Sequence, residues 1–271
     1  MWKGVVFILE TFMKRILVLM AVLIFTPLFG FSLDTVELLT TEYEPFCGVK
    51  GNTMWCDLVN TAFAREGIDV KWQSYPQDRE KSMVSEGTSV AFLSSTLVVA
   101  QNEKPNFIMN ENPMIYVSIV AFFPKKKFPT GLGLRNASDL KGNTVGVVLG
   151  TGSVTVLQKA GVTIDGAPDK DSLMKKLVAG RQTIAVVADL TGLYALQESF
   201  PNKVDDYKYE MVYSSPIDLI FSKNNFRSVE LRNKFNSGIS KIKADGTFMK
   251  TLTKYYPKGQ INKSILPKDM Q

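Results

Sequence analysis

Histidine is absent from this 271-residue sequence, and cysteine occurs only twice. Without histidine the chain lacks the usual general base, so Ser-His and Cys-His catalysis are excluded. A strong charge excess is missing as well, since 32 lysines and arginines stand against 26 aspartates and glutamates. One tight basic cluster, Lys125-Lys126-Lys127, has no nucleic-acid-binding motif near it and is typical of a solvated loop. We therefore expect no nucleic-acid partner.

A long apolar run is present near the amino terminus but nowhere else. Residues 13–32 read M-K-R-I-L-V-L-M-A-V-L-I-F-T-P-L-F-G-F-S, in which two positive charges precede the run. Gly30 and Ser32 place small residues at positions −3 and −1 of a cleavage site. This pattern predicts a signal peptide over residues 1–32, with Met13 as an alternative start, and a periplasmic protein. The other interpretation is an uncleaved amino-terminal anchor.

The two cysteines, Cys47 and Cys56, close a short loop. An even cysteine count in an exported protein favours a disulfide between them. A metal pair is the alternative, but the spacing matches no zinc motif and no histidine is available. We expect a disulfide and no metal.

Strand and helix patterns alternate after residue 32. The predicted strands are Val36–Thr41, Ile68–Trp72, Val90–Leu93, Ile115–Phe123, Val145–Leu149, Thr183–Val187 and Ile217–Phe221. One apolar helical stripe is formed by Trp55, Leu58, Val59, Ala62 and Phe63. A later helix is predicted to begin at an N-cap, Asp171, and to stop at Gly180. The alternation predicts an α/β fold, and the length favours two lobes.

The turn Gly150-Thr151-Gly152-Ser153 joins a predicted strand to a predicted helix. Such a turn exposes unpaired backbone N–H groups at the positive end of a helix, which is favourable for an anion. The P-loop lysine and the third glycine of the Rossmann motif are missing, so we expect no nucleotide cofactor. A tight strand-to-helix connection is the plainer interpretation.

Four stretches give the chain a recognisable pattern. They are Y-E-P-F at 43–46, D-L-K-G-N-T-V-G-V-V-L-G-T-G-S at 139–153, L-V-A-G-R-Q-T-I-A-V-V-A-D at 177–189 and K-A-D-G-T-F-M-K at 243–250. In this order and spacing the chain resembles the bacterial extracellular solute-binding proteins of family 3, the periplasmic amino-acid-binding type.

The resemblance implies a two-lobed periplasmic-binding-protein fold of type II, with two hinge strands and a ligand cleft between the lobes. Lobe 1 would comprise 33–120 plus 219–271, and lobe 2 would comprise 121–218. The hinges would lie near Ile119–Ala121 and Pro216–Leu219. Closure about a ligand would then be a hinge motion.

The resemblance also implies a set of ligand-binding residues: Tyr43, Tyr75, Ser94, Ser95, Thr96, Gly150, Thr151, Gly152, Ser153 and Asp189. Tyr43 and Tyr75 would be aromatic walls, able to hold an ammonium by cation–π attraction. Ser94-Ser95-Thr96 and the glycine turn would hold a carboxylate, and Asp189 would pair with the ligand's amino group. Edge packing of the tyrosines, a capped turn at Thr96 and an N-cap role for Asp189 are the structural alternatives.

One position departs from the family pattern. The arginine that binds the ligand carboxylate in the family falls at Gln101, which offers only a neutral donor. Lys104 or Arg79 would have to supply the missing positive charge.

These features lead to a monomeric, cofactor-free binding protein for a small polar, amino-acid-like or amine-bearing ligand. It would serve an ABC transporter permease or a membrane sensor. The alternatives are a periplasmic dehydratase-like enzyme on the same fold and a receptor module that binds no ligand. We expect no enzyme activity, because Asp189 is the one unexplained carboxylate in the predicted cleft.

Overall fold

Strands and helices alternate through the chain, as the sequence pattern predicts. The structure is a computed structural model that describes residues 34–50, 53–256 and 261–271, so the predicted signal peptide lies outside the described residues. The strands are β1 (Asp34–Thr40), β2 (Ile68–Ser74), β3 (Ala91–Ser95), β4 (Phe107–Ile108), β5 (Ile115–Pro124), β6 (Thr144–Val148), β7 (Thr163–Ala167), β8 (Ala185–Ala188) and β9 (Tyr207–Ser222). The α-helices are α1 (Met54–Ala64), α2 (Gln77–Glu86), α3 (Gly152–Lys159), α4 (Lys170–Val178), α5 (Asp189–Ser199), α6 (Ser228–Ala244) and α7 (Thr247–Leu252).

One sheet connects all these strands in the order β2-β1-β3-β9-β5-β8-β6-β7, with β4 paired to β9. Its centre is a long antiparallel ribbon of β5 and β9. β3 joins one end of this ribbon by pairing with Ile217–Phe221 of β9. β8 joins the other end, on the opposite edge, by pairing with Ile119–Phe122 of β5. The ribbon therefore links a first strand group (β1–β4) to a second strand group (β6–β8).

Both groups use parallel pairing away from the ribbon. β1 lies parallel to β3 in the first group, and β6 lies parallel to both β7 and β8 in the second. Parallel strands need helical crossovers, which the chain supplies between them. From Thr35 onward the described residues pack as one compact unit, and the exact lobe bounds given above stay a prediction.

Helix α1 shows how the apolar pattern becomes a core. Its predicted stripe is buried, and Phe63 packs on Phe235 of α6 with ring centroids 5.6 Å apart. Gly238 lets the two helices approach closely, since a Cβ there would collide with the carbonyl oxygen of Ala62. This packing fixes the helices behind the first strand group.

Two local predictions need correction. Asp169 rather than Asp171 is the N-cap of α4, because the Asp169 carboxylate accepts a hydrogen bond of 2.7 Å from the Ser172 N–H. The predicted strand at Ile217–Phe221 is only the end of β9, which begins ten residues earlier at Tyr207.

Candidate functional site

The candidate site is a pocket of about 320 Å³ between the two strand groups. Its walls are formed by Glu42, Tyr43, Glu44, Val148, Thr151, Ser153, Lys170, Val186, Val187, Ala188 and Thr191. The first three of these follow β1, and the others lie at or beyond the carboxyl ends of β6, β7 and β8. Ligands of open α/β sheets bind at such strand ends.

Tyr43 is presented to the pocket by a tight loop. Its backbone N–H donates to the carbonyl of Cys47 at 2.9 Å, and the Cys47 N–H donates back at 3.0 Å. Behind the ring, Phe46 stacks at a centroid distance of 5.5 Å and Trp55 lies at 6.3 Å. Burial raises the pKa of the Tyr43 hydroxyl, so it stays protonated and can donate a hydrogen bond at neutral pH.

The glycine turn occupies the opposite wall. Gly150 adopts a positive φ of 77°, which a residue with a side chain rarely adopts, and α3 begins immediately afterwards. No side chain caps this helix, because the Thr151 hydroxyl donates to the Val148 carbonyl at 2.7 Å instead. Ser153 shares a hydrogen bond of 3.0 Å with the Tyr213 hydroxyl. The helix start therefore retains N–H groups for a ligand.

Thr191 lines the same wall from the first turn of α5. Its side chain is only 2% exposed, and its hydroxyl has no hydrogen-bond partner within the described residues. Thr191 lies close enough to the Tyr43 hydroxyl to offset part of the rise in the Tyr43 pKa that burial causes. An unpaired buried hydroxyl is costly, so Thr191 is a candidate ligand-binding residue.

Asp189 does not line the pocket. It is the first residue of α5 and is 4% exposed, with one carboxylate oxygen accepting from the Leu190 N–H at 2.8 Å. The other oxygen accepts from the Tyr256 hydroxyl at 3.3 Å. Burial raises the pKa of Asp189 to about 6. The carboxylate that was expected to bind a ligand amine thus accepts a hydrogen bond from Tyr256 instead. The N-cap of α5 is Ala188 and not Asp189.

The remaining predicted contacts of the first strand group lie outside the pocket. The Arg79 guanidinium lies over the Tyr75 ring, 4.5 Å from the ring centroid. The Ser95 hydroxyl shares a hydrogen bond of 2.7 Å with the Ser215 hydroxyl of β9. It also accepts a hydrogen bond from the Leu97 N–H and therefore caps a turn. Ser94, Thr96 and Gln101 make no contribution to the pocket walls, and Gln101 is exposed.

Neither candidate substitute for the family arginine reaches the pocket. Arg79 is held over Tyr75, and Lys104 is exposed at the start of a 3-10 helix. The cation that does line the pocket is Lys170, the first residue of α4.

Of the predicted set, the pocket brings together Tyr43, Thr151 and Ser153. Sequence reasoning missed its charged and hydroxyl members Glu42, Glu44, Lys170 and Thr191. Glu42 and Glu44 flank Tyr43 in the sequence, and this adjacency could have identified them. Lys170 and Thr191 carry no local signal, because they reach the pocket only through the positions of β7 and β8 in the sheet.

The predicted disulfide is not present, because Cys47 and Cys56 are both buried free thiols. Each thiol points at a different carbonyl oxygen, Cys47 at that of Thr41 (3.0 Å) and Cys56 at that of Gly48 (3.7 Å). Burial raises the pKa of both thiols, which keeps them protonated and poorly reactive.

Within residues 34–50, 53–256 and 261–271, no three acidic or cysteine side chains cluster closely enough to hold a metal ion. Within the same residues, no helix has the length and hydropathy needed to cross a membrane. The polar side chains that line the pocket carry hydroxyls, two carboxylates and one ammonium.

Solved structures share this architecture. The ligand-binding core of GluR0 in complex with L-glutamate matches with a TM-score of 0.67 at 13% identity, over 83% of this chain and 100% of that one. A histidine kinase sensor domain with similarity to periplasmic binding proteins matches with a TM-score of 0.63 at 16% identity, over 82% and 95%. An ABC uptake transporter substrate-binding protein from Streptococcus pneumoniae with bound histidine gives 0.60 at 15% identity, over 82% and 92%.

Comparison with protein-family models and with curated proteins gave no match. At these identities the structural likeness shows the fold. The chain has the α/β, two-lobed periplasmic-binding-protein fold, and the resemblance noted in the sequence is confirmed at that level.

Proposed function

We propose that this protein binds a small polar, amine-bearing solute in the pocket between its two lobes. The observation that carries the proposal is the buried Thr191, whose hydroxyl has no hydrogen-bond partner among the described residues, in a pocket that also presents Tyr43 and the uncapped start of α3. A polar atom buried without a partner is rare in folded proteins, and a ligand would supply the missing hydrogen bond. The carboxylates of Glu42 and Glu44 would face the amine.

The pairing of the sheet supports a hinge motion about the β5–β9 ribbon. A register shift interrupts the ribbon between Ile119 and Val120, next to the point where β8 begins to pair with β5. On β9, pairing with β3 begins at Ile217. A hinge here would let lobe 2, at 121–218, close on lobe 1, at 33–120 plus 219–271.

The cellular setting follows from the predicted signal peptide. The protein would act in the periplasm as a monomer, without a cofactor and without catalysis, and would deliver its ligand to an ABC permease or signal to a membrane sensor. The fold is found both in a transporter substrate-binding protein and in a histidine kinase sensor domain.

The test is a thermal-shift screen of the purified protein against amino acids, diamines and carboxylates, followed by calorimetry. A ligand at one hundred times its Kd stabilises the folded state by about 2.7 kcal/mol. Thr151→Val should weaken binding at least tenfold, because it removes a hydroxyl from the pocket wall.

Thr155→Val is the matched control, because Thr155 lies on the same helix with an exposed side chain outside the pocket. It should bind as the unmutated protein does. A screen without a stabilising compound, or equal binding by the two threonine variants, would contradict the proposal.

A further inference from the structure

Phe226 is the most exposed large apolar side chain among the described residues, with 94% of its surface open to solvent. Val229 follows in the first turn of α6 and is 55% exposed. We call these two side chains the Phe226 patch. Isolated apolar side chains are common on protein surfaces, so the backbone that carries the patch and its place in the fold must show whether it has a role.

The loop that carries Phe226 is held in place by hydrogen bonds to its neighbours. The Asn224 Nδ2 atom donates to the Ser85 carbonyl at 2.8 Å, and the Asn225 Nδ2 atom donates to the Gly87 carbonyl at 3.0 Å. The loop also packs tightly, since a Cβ at Gly87 would collide with the backbone of Asn224. An aromatic side chain on a fixed backbone loses little conformational entropy when it is covered, which favours a contact role.

The Phe226 patch lies at the same edge of the sheet as the amino end of β1. The Ser222 N–H and the Ser228 hydroxyl both donate to the Val90 carbonyl, at 2.8 Å and 3.4 Å, which places the loop at the amino end of β3. β1 runs parallel to β3, so its amino end reaches this edge too. Because β1 and β9 flank β3, they lie two strand spacings apart, about 10 Å.

The sequence that precedes β1 is the apolar run of residues 13–32. Thr35 of β1 follows Ser32 by three residues, a stretch that spans at most about 10 Å. Lys14 and Arg15 stand before the run, and positive charges keep that side of a membrane segment in the cytoplasm. A run that stays uncleaved, the second interpretation given above, therefore places the amino end of β1 at the periplasmic surface of the membrane.

We propose that the apolar run remains in the membrane as an anchor and that the Phe226 patch rests on the lipid surface beside it. Phenylalanine and aliphatic side chains are buried favourably at the boundary between lipid headgroups and acyl chains. The exposed Lys223 of the same loop makes no ion pair within the described residues, so its ammonium can reach lipid phosphates. Glu86 and Glu230 are exposed at the same edge, so apolar contact rather than net charge should hold the patch on the lipid.

A second copy of the chain fits this surface less well than lipid does. An aromatic side chain buries about 150–250 Å² when it is fully covered. A stable protein interface buries about 1,200–2,000 Å² in total, far more than the Phe226 patch can contribute. A tethered protein needs no such area, because the anchor already keeps the patch close to the membrane.

Site-specific fluorescence on the full chain tests the lipid contact. Phe226→Cys is labelled with a thiol-reactive, environment-sensitive dye and reconstituted into vesicles of phosphatidylethanolamine and phosphatidylglycerol. Leu97→Cys is the matched control, because Leu97 is 63% exposed and follows the carboxyl end of β3, at the opposite edge of the sheet. The unmutated chain, treated in the same way, corrects for dye on the buried Cys47 and Cys56.

The dye at position 226 should emit at a shorter wavelength than the dye at position 97. Lipids that carry a spin label near the headgroup should quench it at least twofold more strongly. Equal quenching at the two positions would overturn the lipid contact. A shift at position 226 without quenching by the labelled lipid would indicate a second copy or another protein as the partner, and would overturn it as well.

The mass of the chain recovered from cells tests the anchor. The protein should be found in the membrane fraction with residues 13–32 still attached. Recovery of a form that begins at Leu33 would overturn the anchored state. Solute binding in the pocket is measured separately, so failure of either test leaves the proposed function standing.

Discussion

Glu80 should be a neutral, protonated side chain at physiological pH, and its replacement by glutamine should stabilise the protein. The residue lies on α2 with an exposed fraction of 0%, and its Oε1 atom has no hydrogen-bond partner within the described residues. The Thr41 hydroxyl lies 2.9 Å from the Tyr75 carbonyl and 3.2 Å from Oε2 of Glu80. A hydroxyl has one proton, so a protonated Glu80 can donate to Thr41 while Thr41 donates to Tyr75.

Burial raises the pKa of Glu80 to about 8 from 4.5. Between these two values the unfolded chain is ionised while the folded chain holds a proton, so the free energy of unfolding falls as pH rises. The slope is about 1.4 kcal/mol per pH unit, so the loss between pH 5 and pH 7 is about 3 kcal/mol. Glu80→Gln removes this pH dependence of the free energy of unfolding, because glutamine is neutral in both the folded and the unfolded chain.

Urea unfolding of both proteins at pH 5, 6 and 7 measures the effect. The free energy of unfolding of the variant relative to that of the unmutated protein should rise by about 3 kcal/mol across this range. The buried Asp189 and Asp218 also have raised pKa values, of about 6 and about 7, but both proteins share them and their contributions cancel in the difference. Glu86→Gln, on the exposed face of the same helix, is the control. A constant difference between Glu80→Gln and the unmutated protein at all three pH values would refute the reasoning.

Two further predictions concern other buried groups. Tyr256→Phe removes the hydroxyl that donates to Asp189, so it should lower the free energy of unfolding by roughly 1.5–3 kcal/mol at pH 8, where the carboxylate is ionised. The loss should be smaller at pH 5, where Asp189 is protonated, and an equal loss in urea titrations at both pH values would speak against this pairing. Cys47 and Cys56 should react slowly with a thiol reagent in the native protein and yield two thiols after denaturation without reductant, whereas a count of zero would show that they are bonded.

The fold could largely be predicted because its signals are local. The apolar stripe of α1 follows the 3.6-residue period, and the mostly apolar stretch Ile115–Phe123 follows the buried-strand pattern, and both elements form where expected. The start of β9 was missed for a physical reason. Residues Tyr207–Met211 pair only with β5, are mostly exposed or half-buried, and therefore show no buried-strand composition.

The candidate site could be predicted only in part. Tyr43 can be predicted as a pocket-lining residue because the motif Y-E-P-F marks the loop that presents it, and Thr151 and Ser153 because the glycine turn marks a helix start. Asp189 was expected to face a ligand, but its environment depends on Tyr256, which is 67 residues further along the chain. A local pattern cannot show which distant side chain will satisfy a buried carboxylate.

The location of the charges explains why the missing arginine need not prevent ligand binding. The walls of the pocket come from opposite ends of the β5–β9 ribbon, so a cation on either wall can meet a ligand held between them. Gln101 is neutral, while Lys170, the first residue of α4, brings a positive charge to the pocket wall.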